Sequence, residues 1–365
     1  MTIMTQPSIE LKDLLAQVDA AISQRTPLRI QGGNSKHWYG EVTQAATSVL
    51  DASAYHGVLD YEPSELVITA RCGTPLQKIE NLLAQRGQML AFEPPRFAAN
   101  STIGGVVAAG LSGPRRATAG AVRDFVLGAR LINGLGQDLR FGGTVMKNVA
   151  GYDVSRLLTG SLGTLGLISE VSVKVLPVPT LEKTLSFSLK QAQALQQLNE
   201  WAGLPLPISA SSWMDGQLHV RLSGAQAAVA SAQTRLGGEL LDETAAQQHW
   251  QQLRDQQHDF FKQDGHLWRL SLPSTAPALS LDGTLLIEWG GAQRWLFSNA
   301  QAEQIRTVAQ QLGGHATLYF SAANNLMNTN TQHFTPLSAN LLKIHERLKQ
   351  EFDPHGIFNP GRLIV

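Results

Sequence analysis

Apolar residues in 9–24, IELKDLLAQVDAAISQ, recur at steps of three and four, the rhythm of an amphipathic helix. Pro27 closes it. Leu28-Arg29-Ile30 then reads as a short strand running directly into QGGNSK at 31–36. A strand entering Gly-Gly-Asn-Ser makes a tight loop with exposed main-chain N–H groups, although an ordinary turn explains the same residues. Residues 48–50 and 57–60 alternate as two strands joined by a turn, and ELVITAR at 65–71 is a clearer strand. A helix follows from Thr74 or Pro75 to Gln85, with Gly87 capping its end. Helix, strand, loop, strand, strand, helix argues for an α+β unit.

The stretch 93–179 has another texture. Fourteen of the chain's 33 glycines lie between Gly104 and Gly166, so glycine is concentrated here. Glycine permits positive φ and close approach of a ligand to the main chain. Interleaved Thr102, Ile103, Val106, Val107, Thr164, Ile168, Val171 and Val173 predict short strands between the turns. Residues 129–142 read as a hairpin around Asn133-Gly134. Gly134-Leu135-Gly136 is not the start of a dinucleotide GxGxxG, because Leu139 stands where the third glycine belongs and the segment lies within a hairpin. In GSLGTLG, glycine recurs at 160, 163 and 166. Two readings fit: a bend packing a helix at 152–159 on a sheet, or close backbone contact with a flat or charged cofactor. Glycine loops between strands present N–H groups suited to phosphate oxygens.

Residues 175–180, VLPVPT, read as a linker, and the pattern changes after it. Strand 183–189, helix 190–203, strands 208–214 and 217–223, helix 225–235 and strand 239–241 give a βαββαβ order, resembling a ferredoxin-like unit. A helix at 245–261, strands at 267–272, 285–289 and 294–297, a helix at 300–312 and a strand at 316–320 suggest a second, degenerate half. Residues 322–334 are polar and irregular, and 337–350 form an amphipathic helix. The tail that follows, EFDPHGIFNPGRL, is fixed by Pro354, Gly356 and Pro360 and should dock rather than fray.

Composition narrows the function. With 43% hydrophobic and 16% charged residues the chain is globular, and 365 residues suggest about two domains. Lys+Arg and Asp+Glu balance at 29 each, so no general electrostatic case for nucleic acid exists; Arg115-Arg116 is the one local basic pair that stands out. Cys72 is the only cysteine, which excludes an internal disulfide and any zinc or iron–sulfur cluster built by this chain alone. No basic n-region with an apolar core opens the sequence, and no apolar run reaches the ~18–20 residues of a span. The expectation is a soluble, cytoplasmic protein that meets the inner membrane only through partners.

QGGNS at 31–35, PPRFAANSTIGG at 94–105, RDFVLG at 123–128, KNVAGYD at 147–153, LLTGSLGTLGLISEV at 157–171 and FDPHGIFNPGR at 352–362 together resemble the vanillyl-alcohol-oxidase superfamily of PCMH-type FAD proteins. The blocks occur in family order and cover roughly residues 25–180 plus the tail. HWQQLRDQQHDFF, LWRLSLP, IEWGGAQRWL and GGHATLYF are similar to the small GlcE-type subunits of bacterial glycolate oxidases. The resemblance implies an α+β fold: a two-subdomain PCMH-type FAD-binding domain at 1–180, a smaller ferredoxin-like cap at 181–335, and a C-terminal helix and tail at 336–365 returning to the flavin. It assigns Gly32, Gly33, Asn34 and Ser35 to a first phosphate loop and Thr102, Ile103, Gly104, Gly105, Gly110 and Gly113 to a second. It likewise implies that Gly160, Gly163, Thr164, Gly166 and Ile168 flank the adenine and ribitol parts and that Asn359 approaches the isoalloxazine ring.

Two departures from the family matter. Members with covalent flavin often place histidine directly after the first Gly-Gly; here Asn34 stands there, which implies non-covalent FAD, with His37 as the alternative attachment point. Catalytic hydroxy-acid subunits carry a histidine-rich metal motif, whereas His219, His249, His258, His266, His315, His333, His345 and His355 are scattered, so no metal is expected. Arg254 and Arg269 are the candidates for holding a substrate carboxylate, with a solvated or interface role as the alternative for both. Lys147 and Tyr152 are candidate flavin or substrate contacts, or polar rim. Trp289, Arg294 and Trp295 read as a subunit contact surface, with core packing as the alternative. The implied function is an FAD subunit of a glycolate oxidase (dehydrogenase) complex, partnered by a larger FAD subunit and an iron–sulfur subunit. A stand-alone FAD-dependent 2-hydroxy-acid dehydrogenase and a non-catalytic scaffold are the alternatives.

Overall fold

The structure, a computed structural model, describes residues 9–41, 48–144, 152–321 and 331–363. Helix α1 (Leu11–Gln24) buries Leu14, Val18 and Ala21 on one face. It ends before Pro27 because Arg25 takes a left-handed cap at φ 51°. Strand β1 (Leu28–Gln31) pairs in parallel with β2 (Ser48–Asp51). The expected turn from β2 into β3 (Val58–Glu62) is not a hairpin: β3 belongs to another sheet, beside β4 (Val67–Arg71). The connection is anchored elsewhere, since Gly73 N–H donates to the Tyr55 carbonyl and Gly57 N–H donates to the Thr74 hydroxyl.

Helix α2 (Leu76–Ala84) and the short β5 (Gln88–Met89) lead to α3 (Ile103–Ala109). Strands were expected near 102–107, and the structure has this helix instead. Thr102 caps it by accepting from Gly105 N–H at 3.3 Å, and Gly110 closes it at φ 65°. Val106 and Val107 are β-branched, but both are fully buried, and burial in the core outweighs their modest strand preference. Two single turns, α4 (Arg116–Ala119) and α5 (Val122–Phe125), precede the hairpin of β6 (Val126–Ile132) and β7 (Asp138–Gly142). The Asn133 side-chain oxygen accepts from Leu135 and Gln137 N–H and shapes the turn. The helix expected over 152–159 is only one turn, α6 (Val154–Leu157). Strand β8 (Leu167–Lys174) completes an antiparallel sheet of order β3-β4-β8-β6-β7. The linker is no free tether, because β9 (Leu176–Pro177) pairs with β5.

The second half is one eight-stranded sheet. Strand β10 (Leu181–Ser188), α7 (Gln191–Ala202), β11 (Ile208–Met214), β12 (Gln217–Gly224), α8 (Gln226–Leu236) and β13 (Glu239–Leu240) give the order β13-β10-β12-β11. Helix α9 (Glu243–Arg254) stops earlier than expected, and a separate turn occupies Asp259–Lys262. Then β14 (His266–Ser271), β15 (Thr284–Glu288), β16 (Gln293–Phe297), α10 (Ala302–Gln311) and β17 (His315–Ser321) give β15-β16-β14-β17. Numbered within each half, the orders are 4-1-3-2 and 2-3-1-4, mirror images joined through the antiparallel β11–β15 pair. The second half is degenerate in lacking a helix between its first two strands. Helices α7, α8 and α10 pack on one face; the other meets the first half through Leu267, Leu286, Trp295 and Tyr319 against Tyr39, Leu111 and Leu162.

Helix α11 (Ala339–Phe352) leads into the tail, which docks. Leu28 N–H donates to Ile357 O at 2.6 Å and Asn359 N–H to Leu28 O at 2.9 Å, placing the tail beside β1. The buried Asp353 carboxylate accepts from Ile357 and Phe358 N–H and from the Lys349 ammonium. Among the described residues no helix is long and apolar enough to cross a membrane.

Ion pairs lock the seam between the halves. Glu93 accepts from Arg115 Nε at 3.3 Å and from Arg221 Nη2 at 2.9 Å, and Arg115 also pairs with Glu182. Both arginines are buried, so removing Glu93 leaves Glu182 alone to answer two cations. Glu93→Ala should cost about 3–5 kcal/mol in chemical denaturation, the range for breaking a buried pair by deleting one partner. A change below about 1 kcal/mol would show that water reaches the network.

Candidate functional site

Three glycine-bearing stretches meet at one cavity. Residues 30–37, the cap and first turns of α3, and the loop entering β8 line it, with Ala52, Cys72, Asn359 and Arg362 completing the wall. It encloses about 780 Å³ of empty space, counted out through its open mouth. Among the described residues no carboxylate lines it.

The loop after β1 is shaped by what it cannot contain. A Cβ on Gly33 would lie 1.6 Å from the Asn100 carbonyl oxygen, and one on Gly32 would lie 2.5 Å from Thr102 Oγ1. Asn34 is left-handed at φ 53°, and its side-chain oxygen accepts from Arg29 at 3.1 Å. Ser35 Oγ is 3.0 Å from Ser101 Oγ. The carbonyls are engaged: Ser35 O by Trp38 Nε1, Lys36 O by Arg362 Nη2 at 2.9 Å, and Asn34 O by the His37 ring. The N–H groups are not. Among the described residues, none of the backbone amides of Gly32, Gly33, Asn34, Ser35, Lys36 or His37 has an acceptor. Consecutive unspent amides in a turn form an anion-binding nest.

The second stretch is built differently. Ile103 N–H donates to Thr74 O, Gly104 N–H to Cys72 O and Gly105 N–H to the Thr102 hydroxyl. The helix start has therefore spent its donors inside the protein. Gly104 is needed for packing, since a Cβ there would come within 2.5 Å of Cys72 Cβ. Burial pushes the Cys72 thiol up to about 12, so it is an inert wall. Gly105 has more room and lines the cavity beside Thr102. Ile103 is core, Gly110 is the α3 cap, and Gly113 packs on Glu93 and Arg254; none of these three lines the cavity.

In the third stretch Gly163, Gly166 and Ile168 line the cavity, whereas Gly160 and Thr164 face a separate groove beside α11. Asn359, at φ 40°, accepts from Ile30 N–H at 2.8 Å and donates to Leu162 O at 2.6 Å. It lines the cavity with its amide used to tie β1, the tail and the glycine loop together.

Two cations complete the wall that sequence reasoning passed over. Lys36 has no ion pair among the described residues; it sits 5.7 Å over the Phe97 ring, and burial holds its ammonium down to about 8. Arg362 grips the carbonyls of Lys36 and Tyr39, and burial lowers its pKa too. Lys36 stands directly after Gly-Gly-Asn-Ser and Arg362 within FNPGR, two motifs whose glycines and main-chain N–H groups draw the eye first. Lys147 lies outside the described residues, as do 322–330, and Tyr152 is 93% exposed and outside the wall.

The candidates of the second half separate. Arg254 is outside the cavity, its fork closed on the Asp255 carboxylate at 2.8 and 2.7 Å. Arg269 lies on the β14 face turned toward the first half, 5.9 Å from the Tyr319 ring centroid. Arg294 and Trp295 are 0% and 3% exposed, so core packing, not a contact surface, describes them. Arg294 donates to the carbonyls of Gly291, Ala276 and Pro277. Trp295 donates to Glu288, a carboxyl that burial pushes up to about 7. Three of the scattered histidines converge: the His249 ring is 4.5 Å from His219 and 5.7 Å from His258. Burial lowers all three pKa values, His249 to about 3. Among the described residues no group of three or more His, Cys, Asp or Glu has the arrangement to hold a metal.

The FAD binding domain family matches residues 10–155. The glycolate oxidase subunit GlcE of Escherichia coli (strain K12) is 51% identical over 350 residues, covering 96% of each chain. The glycolate oxidase subunit GlcD of Bacillus subtilis (strain 168) is 32% identical over 162 residues, 44% of this chain and 34% of that one. A solved structure of alkyldihydroxyacetonephosphate synthase matches with a TM-score of 0.66 at 16% identity, covering 98% of this chain and 76% of that one, a likeness of fold. Unspent amides and two cations around a cleft, with no carboxylate among the described residues of its wall, suit a dinucleotide's pyrophosphate. With near end-to-end identity to one subunit type and an FAD-binding fold around such a cleft, the chain belongs to the GlcE-type glycolate oxidase subunits, FAD-dependent oxidoreductases of the PCMH type.

Proposed function

We propose that this chain is the FAD-binding subunit of a glycolate oxidase (dehydrogenase) complex that converts glycolate to glyoxylate, with electrons passed to a partner. The loop of unspent amides at 32–37 carries the reading at residue level. Gly32, Gly33, Asn34 and Ser35 hold the pyrophosphate by main-chain N–H, with Lys36 supplying charge and Arg362 holding the loop in shape. Thr102, Gly104 and Gly105 form the opposite wall; Gly163, Gly166, Ile168 and Asn359 form the floor. FAD, when bound, supplies the two-electron acceptor; the protein binds it, orients it and excludes water. Attachment is non-covalent, since Asn34 offers no nucleophile and the His37 ring is engaged with Asn34 O. The division is an FAD domain at 1–180, a cap at 181–335 and a docking tail at 336–365.

The partners are a larger FAD-containing subunit and an iron–sulfur subunit, because a chain with one buried cysteine cannot ligate a cluster. The complex is cytoplasmic, meeting the membrane only through those partners. A second reading, a stand-alone 2-hydroxy-acid dehydrogenase, is favoured by Arg269, which has no ion pair among the described residues on the face turned toward the flavin half.

The visible spectrum of the purified chain decides between them. A flavin spectrum that bleaches with glycolate only when the other subunits are present supports the first reading. Bleaching by the chain alone supports the second, and a protein that cannot be loaded with FAD overturns both. Gly33→Ala should lower flavin content at least roughly tenfold, a loss of ~1.4 kcal/mol or more in binding, with far-UV dichroism retained. Retained flavin in that variant would place the pyrophosphate elsewhere.

Lys36 sets a pH dependence. In the flavin-free protein its charge is lost as pH rises through about 8, whereas the ordinary value is 10.5. The folded state therefore disfavours the charged form, and this group's contribution to stability improves as pH rises from about 8 toward 10.5. An anionic ligand reverses the preference, so FAD binding takes up a proton above pH 8 and weakens as pH rises. Titration of the flavin-free chain with FAD at several pH values should show this slope in wild type and a weaker, flat profile in Lys36→Met. An unchanged slope in that variant would remove Lys36 from the phosphate site.

A further inference from the structure

We propose that Lys349 is a positioning residue for the cofactor and the pin of a latch. It fastens the C-terminal tail to the glycine loop at 160–166, so that the floor of the cleft keeps its shape only while the tail is docked. The proposal rests on the preceding reading for the identity of the ligand as FAD; the coupling of tail to loop stands without it.

The loop needs an outside hold. Gly160, Leu162, Gly163 and Gly166 stand at φ 84°, 52°, 72° and 143°. A leucine at positive φ is disfavoured and persists only where its surroundings fix it. Here the loop is gripped from two sides. Its amides turn to α3: Gly160 N–H donates to Val107 O at 3.0 Å and Leu162 N–H to Ala108 O at 2.9 Å. Two of its carbonyls turn the other way. Leu162 O accepts from Asn359 Nδ2 at 2.6 Å, and Thr164 O accepts from the Lys349 ammonium at 2.6 Å. Leu162, Gly163 and Gly166, on either side of Thr164, line the cleft.

Lys349 is where three segments meet. An ammonium has three N–H donors. Besides Thr164 O of the loop, this one reaches Asp353 Oδ2 at the end of α11, at 2.6 Å, and Phe358 O in the tail, at 2.8 Å. Asp353 is buried and in turn holds the Ile357 and Phe358 N–H groups, and Phe358 lies in a bridge with Leu28 of β1. Little else seats α11: none of its residues is fully buried, and Leu348 and Phe352 are the ones packed on the core. Lys349 is not in the cleft wall, so it acts on a ligand through the loop and the tail. Removing its charge leaves a buried carboxylate without its cation and two carbonyls without their donor, a costly state that undocking the tail relieves.

Site-resolved hydrogen exchange of the full chain, flavin-free and FAD-loaded, tests the latch. Lys349→Met keeps the apolar stem and removes the ammonium. In the flavin-free variant the Leu28 and Asn359 amides, which mark the docked tail, should exchange roughly tenfold faster or more, and so should Gly160 and Leu162, which mark the loop. The variant should bind FAD roughly tenfold more weakly. Reciprocally, FAD should slow exchange at Asn359 in the wild type. Lys349→Cys should match Lys349→Met, and alkylation with bromoethylamine, which restores an ammonium at nearly the same reach, should recover both exchange and affinity; the buried Cys72 is shielded from the reagent. A variant that has merely lost its fold shows this in thermal melts and is not repaired by alkylation. Faster exchange of the tail with the loop unchanged overturns the coupling, and unchanged FAD affinity in Lys349→Met overturns the positioning role. If the wild type cannot be loaded with FAD, the cofactor reading fails while faster loop exchange in the variant still upholds the coupling. If the wild type loads FAD and the loop ignores the substitution, the latch fails while the cofactor reading stands.

Discussion

The structure depends on an asymmetry in one loop. From Asn34 to His37 every carbonyl is engaged, by Trp38, Arg362 or the His37 ring, while the N–H groups from Gly32 to His37 are left over. A peptide with its oxygens occupied and its amides bare is a fixed positive surface. Gly32 and Gly33 are needed so that the loop can sit against Thr102 and Asn100, and Ser35 fastens it to Ser101. The cavity is the space that remains once those contacts are made. Lys36 adds full charge to partial charge, and with no carboxylate among the described residues of the wall, desolvation works against it unopposed.

The second half answers a different need. A single ferredoxin-like unit would cover part of the first half; two, joined through β11 and β15, give one broad sheet whose inner face carries Leu267, Leu286, Trp295 and Tyr319. Its attachment is both apolar and ionic. Glu93, itself at φ 48°, places one carboxylate between Arg115 and Arg221. Since desolvated pairs stabilise little on balance but are costly to break, such a junction fixes orientation more than it adds stability. The adjacent Arg115 and Arg116 both reach the second half, the first through Glu182 and Ser223, the second through the Trp289 ring.

Much of this was legible. Alternation and turn chemistry placed the β6–β7 hairpin, and the βαββαβ rhythm foretold both the first unit of the large sheet and its incomplete second copy. The glycine-rich blocks pointed to the cleft because glycine is demanded where main chains touch, and touching main chains build such clefts. The same rule misled at α3: Ile103, Val106 and Val107 look like strand residues, yet their burial and the Thr102 cap make a helix, whose donors are then spent internally. Local pattern also could not show that Arg254 closes on its neighbour Asp255, that Arg294 and Trp295 are interior, or that His219, His249 and His258 stack. Those facts depend on strand order and register, which pair residues far apart in the chain. Lys36 and Arg362 were missed for a simpler reason: both stood inside motifs read for their glycines.

The floor of the cleft is held by the tail. Asn359 bridges β1 and the 162–163 turn, Leu28 is paired by Ile357 and Asn359, and Arg362 sets the curvature of the loop more than three hundred residues upstream. The sheet edge at β1 and the loop after it are thus completed by residues far along the sequence. Every glycine that lines the cleft lies between residues 32 and 166, and Asn359 and Arg362, which fasten those loops, come almost two hundred residues later. The cleft is whole only once residues 357–362 have docked against β1 and the loop that follows it.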